Sequence, residues 1–248
     1  IGGGTGNFTV LSGLKGPVGD GLTAIVNMVD DGGSTGVLRD KHGVLPAGDA
    51  RQCLAALSNY PELRDLFNIR FSSKDGFGES AHNFGNVFFL AAERATGSFS
   101  DALKLAGNIL NITGQVVPVT GDNRRLVITT TNGQVIRGEH AAEETMLPSL
   151  QGARVGFDIE PTELSLAAKL ALKEAELVII APGDLYTSIA PALAVKGMPE
   201  ALAGKRIVLI TNLMNRSRHT VGFDVTTHAK EVERILGSPI LSHVLYNT

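Results

Sequence analysis

The stretch LTAIVNMVDDGGSTG at residues 22–36 decides the fold class. Its first eight residues are apolar or β-branched along nearly their whole length, the pattern of a strand buried on both faces of a parallel sheet. The strand stops at two carboxylates, Asp30 and Asp31, followed by glycines that let the backbone come close to a ligand. In an open α/β fold that position is the carboxyl edge of the sheet, where ligands bind. A tight strand-to-helix turn capped by Ser34 or Thr35 explains the same residues by turn chemistry alone. Polar strand endings further along the chain weigh against the plain turn.

Upstream, IGGGTGN at residues 1–7 joins the end of a strand to a short helix expected at about 8–15. The backbone N–H groups of Gly3, Gly4, Thr5, Gly6 and Asn7 would attract phosphate there. Gly2 and Gly4 fit a G-x-G-x-x-G dinucleotide fingerprint, but Asn7 stands where the third glycine belongs. An NAD-type binder using this loop and Asp30 is therefore a weaker reading, and no hydride-transfer residue is identifiable. No G-x-x-x-x-G-K-[ST] loop occurs. Both ends of the chain read as cropped, the first at a glycine loop and the last just after an apolar strand.

Downstream, a helix is expected at about 50–58. Asp49 with Gln52 three residues on reads as an N-cap and its capping-box partner. Arg51 in the first helical turn opposes the helix dipole, so it is expected to serve an anion or a carboxylate such as Asp30. A helix at 61–70 and a Gly/Ser-rich rim at 72–80 lead to HNFGN at residues 82–86. His82, Asn83 and Asn86 share one face of the following helix, where they either cap it or hydrogen-bond a ligand. After a helix at 98–110 the period changes to β segments at 115–120, 124–131 and 134–139, the last two joined by an Asn132-Gly133 hairpin turn. Arg124 and Arg125 read as a solvated strand entry, and 157–161 as an edge strand. These features form a β insertion at about 115–160.

The α/β rhythm resumes with a helix at 162–174 and a strand at 177–181, followed by Pro182, Gly183, Asp184, Thr187 and Ser188 in a new helix start. Strands at 207–211 and 240–246 end at Asn212 and Asn247. Asp30, Asp184, Asn212 and Asn247 thus close four strands, and four polar endings on one sheet edge imply a ligand crevice. The expected architecture is a single α/β domain over 1–248: a Rossmann-like three-layer sandwich with a mostly parallel sheet and a small β-hairpin insertion.

The totals restrict function. A 248-residue chain with 43% hydrophobic and 19% charged residues can bury a sizeable core. A net charge of −3 gives no basic footprint for nucleic acid. No apolar run reaches the roughly 20 residues of a membrane span. The single cysteine, Cys53, fits a reducing cytoplasm and a helix core. The six histidines show no metal-binding spacing, and no G-x-S-x-G elbow is present. No cofactor is firmly implied; Asp30 and Asp31 are the donors that could hold Mg²⁺ against a phosphate. Self-association as a homo-oligomer stays open.

Together, GGGTG at 2–6, DDGGSTG at 30–36, LPAGDARQCLAALS at 45–58, HNFGN at 82–86 and APGDLYTSIAP at 181–191 resemble the CofD/YvcK family, nearer its bacterial YvcK branch. The resemblance covers nearly the whole chain and implies a Rossmann-like fold. It implies a cytoplasmic regulator of carbon and cell-wall metabolism and cell shape that binds a nucleotide sugar of the UDP-N-acetylglucosamine type. The alternative it carries is a 2-phospho-L-lactate transferase, moving a phospholactyl group from a guanosine diphosphate donor to a deazaflavin precursor with Mg²⁺. Under either reading Gly3 to Asn7, Asp30, Gly33, Ser34, Thr35, Gly36, Asp49, Arg51, Asn83, Asn86, Gly183, Thr187 and Ser188 line the site. Asp30 and Asp49 are the candidates for any catalytic role.

Overall fold

The first residues of the chain, too few to read as a strand, turn out to sit at the middle of the sheet. In this computed structural model, which describes residues 1–75, 82–146 and 149–247, the Gly2 N–H donates to Ile25 (3.2 Å) and its carbonyl accepts from Asn27 (3.0 Å). On the other side the Ile1 N–H donates to Ile179 (2.7 Å) and its carbonyl accepts from Ala181 (2.9 Å). Residues 1–2 therefore join two parallel half-sheets.

The chain leaves this stub into α1 (Gly4–Val18), β1 (Thr23–Val26), α2 (Gly33–His42), α3 (Gly48–Leu57), α4 (Pro61–Asn68), α5 (Phe84–Thr96) and α6 (Phe99–Ile109). β2 (Gln115–Pro118) pairs in parallel with β1, Thr23 opposite Gln115. A three-stranded antiparallel unit follows, β3 (Leu126–Thr129), β4 (Val135–Arg137) and β5 (Arg154–Phe157), in the order β4-β3-β5, with the short α7 (Glu139–Glu144) between β4 and β5. Then come α8 (Leu166–Glu174), β6 (Leu177–Ile180), a π-helical turn (Leu185–Ile189) running into α9 (Ala190–Leu193), α10 (Met198–Leu202), β7 (Arg206–Ile210), α11 (Val225–Leu236) and β8 (His243–Leu245). β6, β7 and β8 pair in parallel in that order. Counting the stub as strand one, the sheet runs three-two-one-four-five-six, the doubly wound order of the Rossmann fold.

The three-layer α/β architecture with its antiparallel insertion is the one expected. Four local readings are corrected. The segment at 115–118 belongs to the parallel sheet, so the antiparallel unit starts at Leu126; β2 is short, and its partner β1 rather than its own pattern gives it a place. Residues 158–161 are not an edge strand, because β5 ends at Phe157 and its partner β3 begins at Leu126. The helix expected from 162 begins at Leu166, where Ser165 caps it by accepting from the Ala168 N–H. The capping box at Asp49 does not form: α3 starts two residues earlier than expected, at Gly48, with Ala47 as its N-cap. The reason is packing. A Cβ on Gly48 would collide with Asp30 Oδ2, so only glycine lets α3 begin against that carboxylate. The rim at 72–80 lies partly outside the described residues, as does Phe77.

The core lies between α3 and the sheet on one side and beneath α9–α11 on the other, with Cys53, Leu54 and Leu57 of α3 and Leu193, Leu202 and Ile207 fully buried. Burial pushes the Cys53 thiol well up, so this cysteine packs as a small hydrophobe.

One contact fixes the crossing of the two half-sheets. A Cβ on Gly6, in the first turn of α1, would overlap the Pro182 carbonyl oxygen beyond β6, whereas one on Gly13 of the same helix meets nothing within 4 Å. Gly6→Ala is expected to destabilise the protein by about 3 kcal/mol or more, as overpacking against backbone does. Gly13→Ala should stabilise it by about 0.5–1 kcal/mol. Urea denaturation of the two variants checks both signs.

Candidate functional site

At the carboxyl edge of the sheet, strands one and four send their chains out in opposite directions, α1 from the stub and the π turn from β6. Such a switch point opens a crevice. The amino ends of α1, α2, α3 and α5 meet on one side of it. Asn86 of α5 donates to Ser34 Oγ (3.3 Å) and Thr35 Oγ1 (3.2 Å) of α2, and Ser34 Oγ lies 2.9 Å from His82 Nδ1. Thr5 of α1 donates to Gln52 of α3 (3.2 Å). Each helix start brings unpaired N–H groups and the positive end of its dipole.

Carboxylates occupy this basin. Asp30 Oδ1 accepts from the Gly32 N–H (2.9 Å). Burial pushes its carboxyl up and the charge of Asp31 adds to that, against the hydrogen bonds from Gly32 and Thr35. Asp49 accepts from the Gly4 N–H at the start of α1; burial, then the charge of Asp30, push it up to about 7. A third acid comes from the insertion. Glu139, the first residue of α7, is pushed up to about 10 by burial and by the charges of Asp30, Asp49, Glu143 and Asp31. Nothing in the local sequence marks Glu139, because only the folded insertion carries it to the edge.

The other expected residues divide. Asn7 is 4% exposed with no partner for Nδ2. Thr187 is fully buried with Oγ1 unpartnered, and its carbonyl accepts from Asn27 (3.4 Å). Asn27, a lone amide within the apolar run of residues 22–29, is 1% exposed with Oδ1 unpartnered. Its polarity was the signal for this third buried group beneath the switch point. Ser188 lies beside Gly3, where a Cβ on the glycine would stand 3.1 Å from the serine Cβ. Arg51 packs its stem on Gly85, donates Nη1 to Asn68, and feels the charges of Asp30 and Asp49.

Several expected ligand contacts carry architectural work. Asn83 is the N-cap of α5, accepting from Gly85 (2.9 Å) and donating to the Asn68 carbonyl (3.1 Å). Asp31 faces the insertion, accepting from the His140 N–H (2.8 Å) with Arg125 at 3.7 Å. Arg125 also pairs with Asp40, so it is not merely solvated. Asn212 and Gly183 exchange two hydrogen bonds of 2.7 Å, amide to backbone. Gly33 and Gly36 lie in the first turn of α2.

Asp184 caps the π turn, accepting from Tyr186 and Thr187 (3.0 Å each) on one oxygen. Its other oxygen lies 2.7 Å from His219 Nδ1, while His219 Nε2 lies 3.0 Å from the Ala142 carbonyl. A carbonyl only accepts, so both ring nitrogens carry protons and the imidazole is cationic. Burial alone would raise Asp184; the hydrogen bond and charge of His219 reverse that and hold it below the usual range. For His219 burial works downward and Asp184 overrides it, raising the imidazole. Nearby, Tyr186 donates to Glu231 (2.7 Å), which also accepts from the Gly152 N–H (2.9 Å) and pairs with Arg234. Both networks tie the insertion to the π turn.

Asp30 and Asp49 supply the hard oxygen donors that Mg²⁺ takes. Among the described residues no three His, Cys, Asp or Glu groups form a ready-made metal site, so a cation here would share its coordination with ligand oxygens.

These shifts set a pH dependence. Acids whose folded pKa exceeds the unfolded value bind more protons in the folded state, so stability falls as pH rises between the two values. For Asp49 that window runs from 3.8 to about 7, and for Glu139 from 4.5 to about 10. His219 acts in the same direction: its contribution is complete below 6.5 and lost as pH rises through its higher folded value. The melting temperature of the ligand-free protein is expected to drop by about 5 °C or more from pH 5 to pH 8, on the scale of a few degrees per kcal/mol. Asp49→Asn should reduce the drop below pH 7 and leave the part due to Glu139 and His219. Calorimetry across that range checks it, and a flat wild-type profile would remove the strained acids from the account.

Comparison with known proteins agrees with this fold. The family described as 2-phospho-L-lactate transferase CofD matches residues 1–248. A relative from Nostoc is 39% identical over 243 residues, covering 96% of this chain and 51% of its own length. The gluconeogenesis factor of Listeria innocua is 37% identical over 254 residues, covering all of this chain and 76% of its own. The chain thus spans from about half to three-quarters of the length of these relatives. A crystal structure of a UPF0052-family protein from Bacillus halodurans superposes with a TM-score of 0.90 at 33% identity, covering all of this chain and 78% of that one. The chain belongs to the CofD/UPF0052 family, with the YvcK-type gluconeogenesis factors among its relatives.

Proposed function

We propose that the chain binds a nucleotide sugar of the UDP-N-acetylglucosamine type at the carboxyl edge of its sheet, and acts in the cytoplasm as a binding regulator of carbon and cell-wall metabolism. The observation that carries this reading is the meeting of four helix amino ends at the switch point, which suits a diphosphate. Asp30 suits ribose hydroxyls, as the acid at this place does in dinucleotide sites. Gly3 to Asn7 suit the phosphates, with Arg51 as the neighbouring cation. Where phosphates enter, Asp49 gives up the Gly4 N–H, and either a proton or Mg²⁺ offsets the carboxylates.

The buried place of Asp49 beside Asp30 and the start of α1 favours the transferase alternative. Asp49, held near 7, has the pKa of a general base at physiological pH, and phosphoryl-group transfer asks mainly for positioning and charge neutralisation. Against it stands an aromatic content of only 5%, little from which to build a platform for a deazaflavin. Tyr186 is fully buried with its hydroxyl bound to Glu231, and the chain has no tryptophan.

A UDP-sugar at 100 times its Kd should stabilise the protein by about 2.7 kcal/mol, a melting shift of about 5–10 °C at this chain length. Uridine without phosphates should shift it much less. No shift with any uridine diphosphate at millimolar concentration would refute the reading. Arg51→Ala is expected to weaken the same ligand by about 1.5–3 kcal/mol, the range for hydrogen bonds to charged groups, and unchanged affinity with lost stability would make Arg51 purely architectural. Incubation with Mg²⁺, a guanosine diphospholactate donor and a deazaflavin acceptor, followed by mass spectrometry, separates the two readings. Multiple turnovers abolished by Asp30→Asn would establish the transferase.

A further inference from the structure

Beneath the two acids that follow β1 lies a buried cation. Arg39, in the last turn of α2, is 4% exposed, and its guanidinium reaches back under the loop after β1. Nη1 donates to the carbonyls of Val29 (3.2 Å) and Asp30 (3.4 Å). Nε donates to Asn123 Oδ1 (2.7 Å), and Nη2 donates to the Arg124 carbonyl. One planar group thus joins the loop that carries Asp30 to the root of the antiparallel insertion, just ahead of β3. Asn123 in turn donates to the Gly43 carbonyl beyond the end of α2 (3.1 Å).

All of these acceptors are neutral. Among the described residues no carboxylate lies within ion-pair distance of Arg39; Asp31, Asp158 and Asp40 act on it through their field alone, and Arg125 opposes them. Apolar packing of the same volume holds a fold together at least as well as a buried charge does, so placement is what this guanidinium adds. Val29 and Asp30 lie beyond the end of β1, outside the sheet ladder, and Arg39 supplies the donor that a neighbouring strand would give. The loop is held from the other side as well. Asp31 accepts from the His140 N–H (2.8 Å), and a Cβ on Gly138 would stand 2.6 Å from its Oδ2, so only glycine lets α7 start there. The acid loop is therefore gripped between α2 and the insertion, with Asp31 turned to the insertion and Asp30 to the start of α3.

We propose that Arg39 is a positioning residue of the ligand site: it holds the Asp30 backbone and the insertion root as one piece, so that a ligand bound at Asp30 also steadies α7 and the strands around it. Arg39 touches no ligand itself and acts through Asp30. The inference rests on the nucleotide reading above and adds to it how the site and the insertion communicate. Coupling of this kind is carried by continuous hydrogen-bond networks. Here the links are the Asp30 carbonyl, the guanidinium, and the Asn123 amide with the Arg124 carbonyl at the entry to β3.

The test uses Arg39→Lys, which keeps the charge but not the fork that reaches four acceptors. Its companion is Asn123→Ala, an exposed position whose change frees Nε alone. Amide hydrogen exchange is followed with and without saturating UDP and Mg²⁺. In the wild type UDP should slow exchange at residues 4–7, which report occupancy, and at Gly138 and His140, whose N–H groups bond Leu126 and Asp31 and report the insertion. Arg39→Lys should bind UDP about tenfold or more weakly, the scale on which groups that orient a site's own residues act. At saturation it should still show slowed exchange at 4–7 and lose the ligand-induced slowing at 138 and 140. Asn123→Ala should reduce that slowing. An Arg39 that only buttresses the fold would speed exchange with and without ligand and leave the ligand-induced difference in place. Wild-type slowing confined to 4–7, or slowing at 138 and 140 that survives in Arg39→Lys, would overturn the coupling and keep the nucleotide reading. Should Arg39→Lys fail to fold, Asn123→Ala decides, and undiminished slowing there overturns the proposal. No binding of UDP to the wild type would overturn the nucleotide reading and this inference with it.

Discussion

Four backbone hydrogen bonds made by residues 1–2 hold the sheet together. On one side they join β1, which carries β2; on the other they join β6, which carries β7 and β8. Since this stub is the central strand, the chain that leaves it defines the switch point, and every group of the candidate site is placed relative to it. The glycines that follow are a consequence. α1 has to start within contact of the Pro182 carbonyl, and Gly6 permits that approach.

The site combines opposed electrostatics. Four helix amino ends create a positive potential, and Asp30, Asp49 and Glu139 fill it with carboxyls that burial and one another's charge push up. An arrangement of this kind costs stability. A ligand that brings its own counter-cation, or lets these acids keep their protons, offsets that cost on binding. Stability is thus given up at the candidate site.

The strands were legible because an apolar run closed by polar residues means the same thing locally and in the fold. β1, β6, β7 and the Asn132-Gly133 hairpin follow from that pattern. The errors came where a distant partner overrides a local rule. Residues 115–118 looked like part of the antiparallel insertion because a four-residue strand does not reveal its neighbour. Asp49 and Gln52 looked like a capping box because the Asp30 carboxylate that makes α3 start at Gly48 lies 18 positions earlier. Asp184 lies beyond its strand, which ends at Ile180, and its carboxylate serves the π turn and His219, a partner 35 residues away. Glu139 was invisible for the same reason. Asn27 stands out as an amide in an apolar run, but only its unpartnered oxygen in the fold gives it meaning.

The π turn at Leu185–Ile189 holds one residue more than an α turn of equal height would need. Deleting any residue within it would let the backbone relax into the commoner helix while turning everything on one side by about 100°. Thr187 and Ser188 would then swing away from Asn27 and Gly3, or Asp184 would lose its hold on the turn and on His219. A change of length in this short segment therefore disturbs more of the structure than the same change in a surface loop. The extra residue acts as a fixed phase offset between β6 and the helices that follow.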